Sequence, residues 1–333
     1  MRPPAWWAGA ISSTTNIKKM KKTIKFKDRA EWLQSRTQGI GASEVGTILG
    51  LNPFETPYQL YLRKKGQTPP QQENEAMLMG HLLEDAVAQR FAIATGVQLI
   101  KSTADDFIVY NTARPYMRVS PDRLYWGAGM KKNDANKGVL ECKTTAMPVD
   151  VDNVPKHWFC QLQYQLGVCE YSHGALAWIY LGRREFGMLP TEFDPEFFEF
   201  LVEQVDEFWT RYIVGDEEPP AYNVEDVVLK YPRHTLGKTV QATNDVIAAC
   251  AQLAEVNEQL KAVKEQKERL EADIKMTMSD AEAIIAPDDT VLATWRAPKP
   301  APRFDAKRLK AEMPDLYNQY CTEEQGARRF ILK

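Results

Sequence analysis

Between Met117 and Thr144 the chain reads Met117-Arg118-Val119-Ser120-Pro121-Asp122-Arg123-Leu124-Tyr125-Trp126, then a loop marked by Gly127, Gly129 and Asn133, then Gly138-Val139-Leu140-Glu141-Cys142-Lys143-Thr144. Two short apolar runs separated by turn formers predict strands, and a hairpin setting Arg123–Tyr125 against Val139–Glu141. Alternate side chains of a strand share a face, so Val139, Glu141 and Lys143 project one way while Leu140 and Cys142 point into packing. Asp122 sits where the preceding strand turns, which the hairpin brings within reach of Glu141. Two carboxylates, the carbonyl of Cys142 and water suit a hard divalent cation such as Mg2+. Lys143 would then orient a metal-activated water or help to deprotonate it.

Outward from this segment, a helix is expected from Gly80 to Thr95, because Leu83, Val87, Phe91 and Ala94 recur at helical spacing before Gly96 stops it. Glu84 stands on the same stripe as Val87, Ala88 and Phe91, and a carboxylate there needs a metal or an arginine such as Arg90 or Arg118. Shorter helices are expected at Glu31–Ser35, Ser43–Leu49 and Pro57–Lys65, and strands at Phe107–Tyr110, Met117–Ser120, Arg123–Trp126, Gly138–Thr144 and Ala175–Leu181. A helix from about Lys156 to Val168 carries Gln161, whose amide could hold a water or a phosphate oxygen. Taken alone, Gln161, Gln163 and Gln165 would read as a solvated face. A last helix, Pro195–Ile213, closes an α/β domain with a mixed central sheet flanked by helices.

The 333 residues are 44% hydrophobic and 26% charged, enough for one substantial core and a smaller second one. No stretch approaches the roughly 20 consecutive apolar residues of a membrane span. The five cysteines form no C-x-x-C pair, which argues against a disulfide framework or a zinc cluster and suits a reducing cytoplasm. His81, His157, His173 and His234 lack an i, i+4 pair, so histidine ligation of a metal is not expected. A net charge of −3 gives no whole-chain basic signature, although lysines crowd positions 18–27.

The domain boundaries read as a disordered leader at 1–24, a core at 25–215, an acid- and proline-rich linker at 216–238, a long helix or helical hairpin at 239–286, and a small strand and helix segment at 287–333. From Val240 to Ile285 there is no Gly or Pro, and Val246, Leu253, Leu260 and Ile274 alternate with Ala249, Val256, Val263 and Leu270 as a heptad seam interrupted by Lys267. Such a seam needs burial, and packing within its own subunit is expected. The tail Arg328-Arg329-Phe330 is a basic-aromatic cluster of the kind that contacts phosphates or bases, or Phe330 would close a small core.

The run Gly39-Ile40-Gly41-Ala42-Ser43-Glu44-Val45, then Met79-Gly80-His81-Leu82-Leu83-Glu84, Ser120-Pro121-Asp122, Leu140-Glu141-Cys142-Lys143 and Gln161-Leu162-Gln163, resembles the YqaJ-like and lambda-exonuclease group of phage recombination nucleases, within the PD-(D/E)xK superfamily. The resemblance covers roughly Glu31 to Trp209. It implies metal binding by Glu84, Asp122, Glu141 and the Cys142 carbonyl, with two Mg2+ ions for which Mn2+ can substitute. Lys143 and Gln161 would serve the water, and Arg36 and Ser43 would hold the 5′-phosphate of a DNA end. Arg36 can grip phosphate in bidentate fashion, and Ser43 lies near a helix N-terminus that favours an anion. The implied activity is 5′-to-3′ degradation of linear double-stranded DNA, leaving a 3′ overhang for a single-strand annealing protein. A homotrimeric ring and a phage or prophage protein acting in the bacterial cytoplasm are implied as well. An endonuclease on the same core and a catalytically silent DNA-end-binding protein are the alternatives.

Overall fold

The computed structural model describes residues 20–68, 74–100, 107–322, 326 and 328–332. The chain divides into two compact units, 1–230 and 231–333. In the first, the strands are β1 (Lys21–Lys25), β2 (Ile40–Gly41), β3 (Gln98–Leu99), β4 (Phe107–Asn111), β5 (Met117–Val119), β6 (Arg123–Trp126), β7 (Lys137–Thr145), β8 (His173–Tyr180) and β9 (Glu185–Glu192). The helices are α1 (Arg29–Arg36), α2 (Ala42–Ile48), α3 (Pro57–Lys64), α4 (Glu75–Thr95), α5 (Lys156–Cys169), α6 (Pro195–Glu207), which runs on as a π-helical turn to Val214, and α7 (Val224–Lys230).

The main sheet has the order β3-β6-β7-β8-β9 and is mixed: β7 and β8 are parallel, while the other pairs are antiparallel. A parallel pair needs a crossover, and α5 supplies it. The expected hairpin forms with Arg123 opposite Leu140, Leu124 opposite Val139 and Tyr125 opposite Gly138. A second sheet has the order β1-β4-β5-β2.

Alternation along β7 sorts its side chains between two cores. Val139 joins Leu162, Leu166, Leu176 and Trp178 on the α5 face. Leu140 and Cys142 join Val87, Ala88, Phe91 and Tyr125 on the α4 face. Covering both faces explains why β7 and β8 are nearly continuous in burial rather than alternating. The α4 helix starts five residues earlier than expected because Asn74 caps it, accepting from the Met77 N–H, and it ends at Gly96 with φ 73°.

Three differences from the sequence reading have local causes. The first is β1, part of which falls in the stretch read as a leader: it pairs with β4 from Lys21 opposite Asn111 to Lys25 opposite Phe107, whereas residues 1–19 lie outside those described. Next, the stretch read as a linker holds α7, whose Asp226 is fully buried and accepts from the Thr56 hydroxyl at 2.8 Å and the Tyr222 N–H at 2.8 Å. The third is β9, hidden by Gly187 and Pro190, residues that normally demote a strand; at the sheet edge both are tolerated. A Cβ at Gly187 would stand 2.3 Å from the Trp178 indole. Replacing Gly187 with Ala is therefore expected to destabilise the fold by about 1–3 kcal/mol in chemical denaturation. An unchanged midpoint would show that the buried indole can move aside.

The second unit contains one continuous helix, α8 (Asn244–Met278), a hairpin of β10 (Ala283–Ile285) and β11 (Val291–Thr294), and the short helices α9 (Ala306–Glu312) and α10 (Pro314–Gln319). The long segment is thus a single helix and not a helical hairpin. Along its seam Val246, Leu260 and Val263 are 50%, 50% and 61% exposed. Phe330 is also exposed and closes no core, while Arg328 donates from Nη1 to the Tyr231 carbonyl at 3.0 Å. Among the described residues no helix is long and apolar enough to cross a membrane.

Candidate active site

Glu141 is the most enclosed charged group of the hairpin, at 2% exposure. Its position on the α5 face of β7 places it under two glutamines one helical turn apart. Gln161 donates from Nε2 to Oε1 at 2.5 Å, and Gln165 donates from Nε2 to Oε2 at 2.8 Å. Lys143, two residues along the strand and on the same face, reaches Oε1 at 2.6 Å and gives a second hydrogen bond to Gln161 Oε1 at 2.9 Å. All three glutamines of the α5 run are buried, so the solvated-face reading fails. Gln163 serves the fold instead, bonding the Glu192 carbonyl and the Asp194 N–H.

Asp122 immediately precedes β6, and the register of that strand sets it alongside Glu141. Its Oδ2 accepts from the backbone N–H of Cys142 at 2.7 Å, which fixes the carboxyl against β7. Glu84 approaches from α4, on the other side of the sheet, close enough to share a hydrogen bond with Asp122. Its arginine neighbour is Arg123, at 4.0 Å, and neither of the two anticipated: Arg90 lies over the Phe186 ring, and Arg118 bonds the Ser35 carbonyl and hydroxyl.

This crowding of acids leaves its mark on their protonation. Withdrawal from water, then the neighbouring Glu84, holds the Asp122 carboxyl well above the usual range. Burial, then Asp122, pushes Glu141 up to about 7, despite Lys143. For Lys143, burial favours the neutral amine, but Glu141 and Asp122 outweigh it and raise the ammonium above its ordinary value. Oxygen donors of this kind fit a hard divalent ion. Among the described residues no three acidic, histidine or cysteine side chains are gathered as a ready ligand cluster.

One cavity of about 350 Å3 is lined by Glu84, Asp122 and Gln161 and also by Arg36 and Ser43. Arg36 closes α1, stacks over Trp32 at 4.7 Å and touches the Ser43 hydroxyl at 3.5 Å. Ser43 is exposed in the first turn of α2. The N-terminus of that helix already has an anion, since Glu44 accepts from the Gly41 N–H at 2.8 Å. A phosphate beside Ser43 would therefore be held by Arg36 more than by the helix end.

Sequence reasoning missed what holds this wall in place. Glu44 is 4% exposed and paired with Lys64 at 2.7 Å and Arg63 at 2.9 Å. Lys64 completes its three donors on the carbonyls of Arg36, at 3.1 Å, and Gly39, at 2.6 Å. Arg63 meets both oxygens of Glu55 as well. Glu44 could be seen beside Ser43 in the sequence, but nothing local assigns it a partner on α3.

The sheet register and these side chains together place an acidic site on a mixed α/β core. The YqaJ-like viral recombinase domain model matches residues 31–172. The YqaJ protein of Bacillus subtilis (strain 168) is 31% identical over 316 residues, covering 92% of this chain and 94% of its own length. The chain belongs to the YqaJ-like viral recombinase family. Among solved structures, the alkaline exonuclease LHK-Exo of Laribacter hongkongensis is 18% identical, covers 60% of this chain and 96% of its own, and has a TM-score of 0.44. A phage-related exonuclease from Haemophilus somnus 129PT is 11% identical, with 54% and 96% coverage and a TM-score of 0.40.

Proposed function

We propose that this nuclease is a Mg2+-dependent exonuclease that degrades one strand of linear double-stranded DNA from its 5′ end and leaves a 3′ overhang for recombination by strand annealing. The supporting observation is that Glu84 and Asp122 line the same cavity as Arg36 and Ser43. A site that cuts next to a DNA terminus needs both. Glu84, Asp122, Glu141 and the Cys142 carbonyl are the groups to hold metal, and Arg36 and Ser43 those to hold the terminal phosphate. In this reading a homotrimer encloses the duplex in the bacterial cytoplasm, and a single-strand annealing protein takes the overhang.

Two Mg2+ ions, or Mn2+ in their place, would be held by Glu84, Asp122, Glu141 and the Cys142 carbonyl and would supply polarisation of the phosphodiester and a lowered pKa of water. Lys143 remains an ammonium beside Glu141, so it acts as a hydrogen-bond donor to the attacking water or the phosphate and not as a base. Gln161 accepts from Lys143 and donates to Glu141, which fixes the direction of both. No covalent intermediate is required.

The test is digestion of linear duplexes labelled separately at each 5′ and 3′ terminus, with closed circular duplex as comparison. Early release of the 5′ label with the circle intact is expected; cutting of the circle would overturn the exonuclease reading. Replacing Arg36 with Ala should slow digestion of 5′-phosphorylated ends by roughly 10- to 100-fold, the worth of a charged hydrogen bond. Ends carrying a 5′-hydroxyl should be little affected. Equal losses on both would assign Arg36 to the internal backbone or to the fold.

A further inference from the structure

The amide of Gln165 is arranged at a cost. Gln165 is 1% exposed, and its Oε1 is buried with no hydrogen-bond partner, while its Nε2 donates to Glu141. An orphaned buried acceptor costs on the order of 1–3 kcal/mol. Turning the amide over would set its oxygen against a carboxylate oxygen of Glu141, so the observed orientation is the one that serves Glu141 and leaves the glutamine itself unsatisfied. Elsewhere on α5 the same residue type is treated differently: both ends of the Gln163 amide are bonded to backbone. Gln165 also lines the cavity that Glu84 and Asp122 line.

We infer that Gln165 is a positioning residue of the candidate metal site, fixing Glu141 Oε2 so that the carboxylate keeps the direction a divalent ion requires. This rests on the metal-dependent reading above. Gln161 and Lys143 both act on Oε1, and Gln165 is what holds the other oxygen. Among the described residues Lys143 bonds Gln161 and Glu141, whereas Gln165 bonds Glu141 alone, so its effect is on the ligand and not on the donor to water.

The experiment is calorimetric titration of the full chain with Mn2+, together with thermal melting of the metal-free protein, for wild type, Gln165→Met, Gln165→Asn and Gln163→Met. Methionine keeps the length of the side chain without the amide; asparagine keeps the amide but is one methylene too short to reach Glu141. Both position-165 variants should bind Mn2+ roughly 10- to 100-fold more weakly, the usual effect of losing a group that orients a metal ligand. Their metal-free melting temperatures should stay near that of wild type. Gln163→Met should do the reverse, melting lower with unchanged Mn2+ affinity. Mn2+ affinity within threefold of wild type in both position-165 variants would overturn the inference. So would a fall in melting temperature matching that of Gln163→Met with no separate loss of affinity. If wild type itself binds no Mn2+, it is the metal-dependent function that fails, a different result.

Discussion

Replacing Glu141 or Asp122 with Ala is expected to abolish DNA cleavage while leaving DNA binding largely intact. Both residues stand in the acidic cluster at the start of β6 and on β7, and a metal held there contributes several kcal/mol to the reaction, so the rate should fall roughly a thousandfold or more. Affinity for DNA rests mainly on contacts with the phosphate backbone and should survive. Lys143→Ala should be similarly damaging without removing metal, because its ammonium is bonded to Glu141 and Gln161 and is not an expected ligand. The measurement is single-turnover digestion of a labelled duplex beside a binding titration. Cleavage within tenfold of wild type in the Glu141 or Asp122 variant would refute the site.

The second large effect concerns stability. Glu44→Ala leaves the ammonium of Lys64, whose side chain is 2% exposed, without its counter-charge, and removing one member of a buried pair costs about 3–5 kcal/mol. Burial alone would raise the Glu44 carboxyl, but Lys64, Arg63 and Arg36 outweigh it and bring it to about 2. The folded value thus lies below the ordinary one of 4.5. The ionised group therefore contributes stability that is fully present above about pH 4.5 and drains away as pH falls toward 2, a total of about 3 kcal/mol by linkage. Denaturation midpoints of wild type and Glu44→Gln should accordingly converge between pH 5 and pH 3. Parallel curves over that range would mean that the ion pair is not what stabilises the end of α1 that bears Arg36.

The hairpin that carries Asp122 and Glu141 was legible because its signals are local: two apolar runs, turn residues between them, and a period of two along β7. The start of α5 and the stop at Gly96 were legible for the same reason. What stayed hidden depends on partners far along the chain. Gln165 looks like any polar helical residue until the strand beneath it is known to carry a buried carboxylate. Glu44 and Lys64 are 20 residues apart and meet only when α2 docks on α3. The heptad seam of α8 predicted one long helix well, yet periodicity says only that a face is apolar and not what lies against it.

The hydrogen bond from the Cys142 N–H to Asp122 has a consequence for solubility. The β6 ladder ends where Arg123 faces Leu140, but β7 continues for five more residues, through Thr145, paired only with β8. A strand edge left open in this way can recruit a strand from another molecule. The Asp122 carboxyl takes the first amide beyond the end of the ladder. That amide is thus already occupied and not open to an incoming strand. Replacing the acid with alanine frees that amide, whereas asparagine keeps an oxygen to accept from it, so the alanine variant is expected to aggregate at lower concentration than the asparagine variant in light scattering. Equal behaviour of the two would show that the surrounding helices already shield the edge.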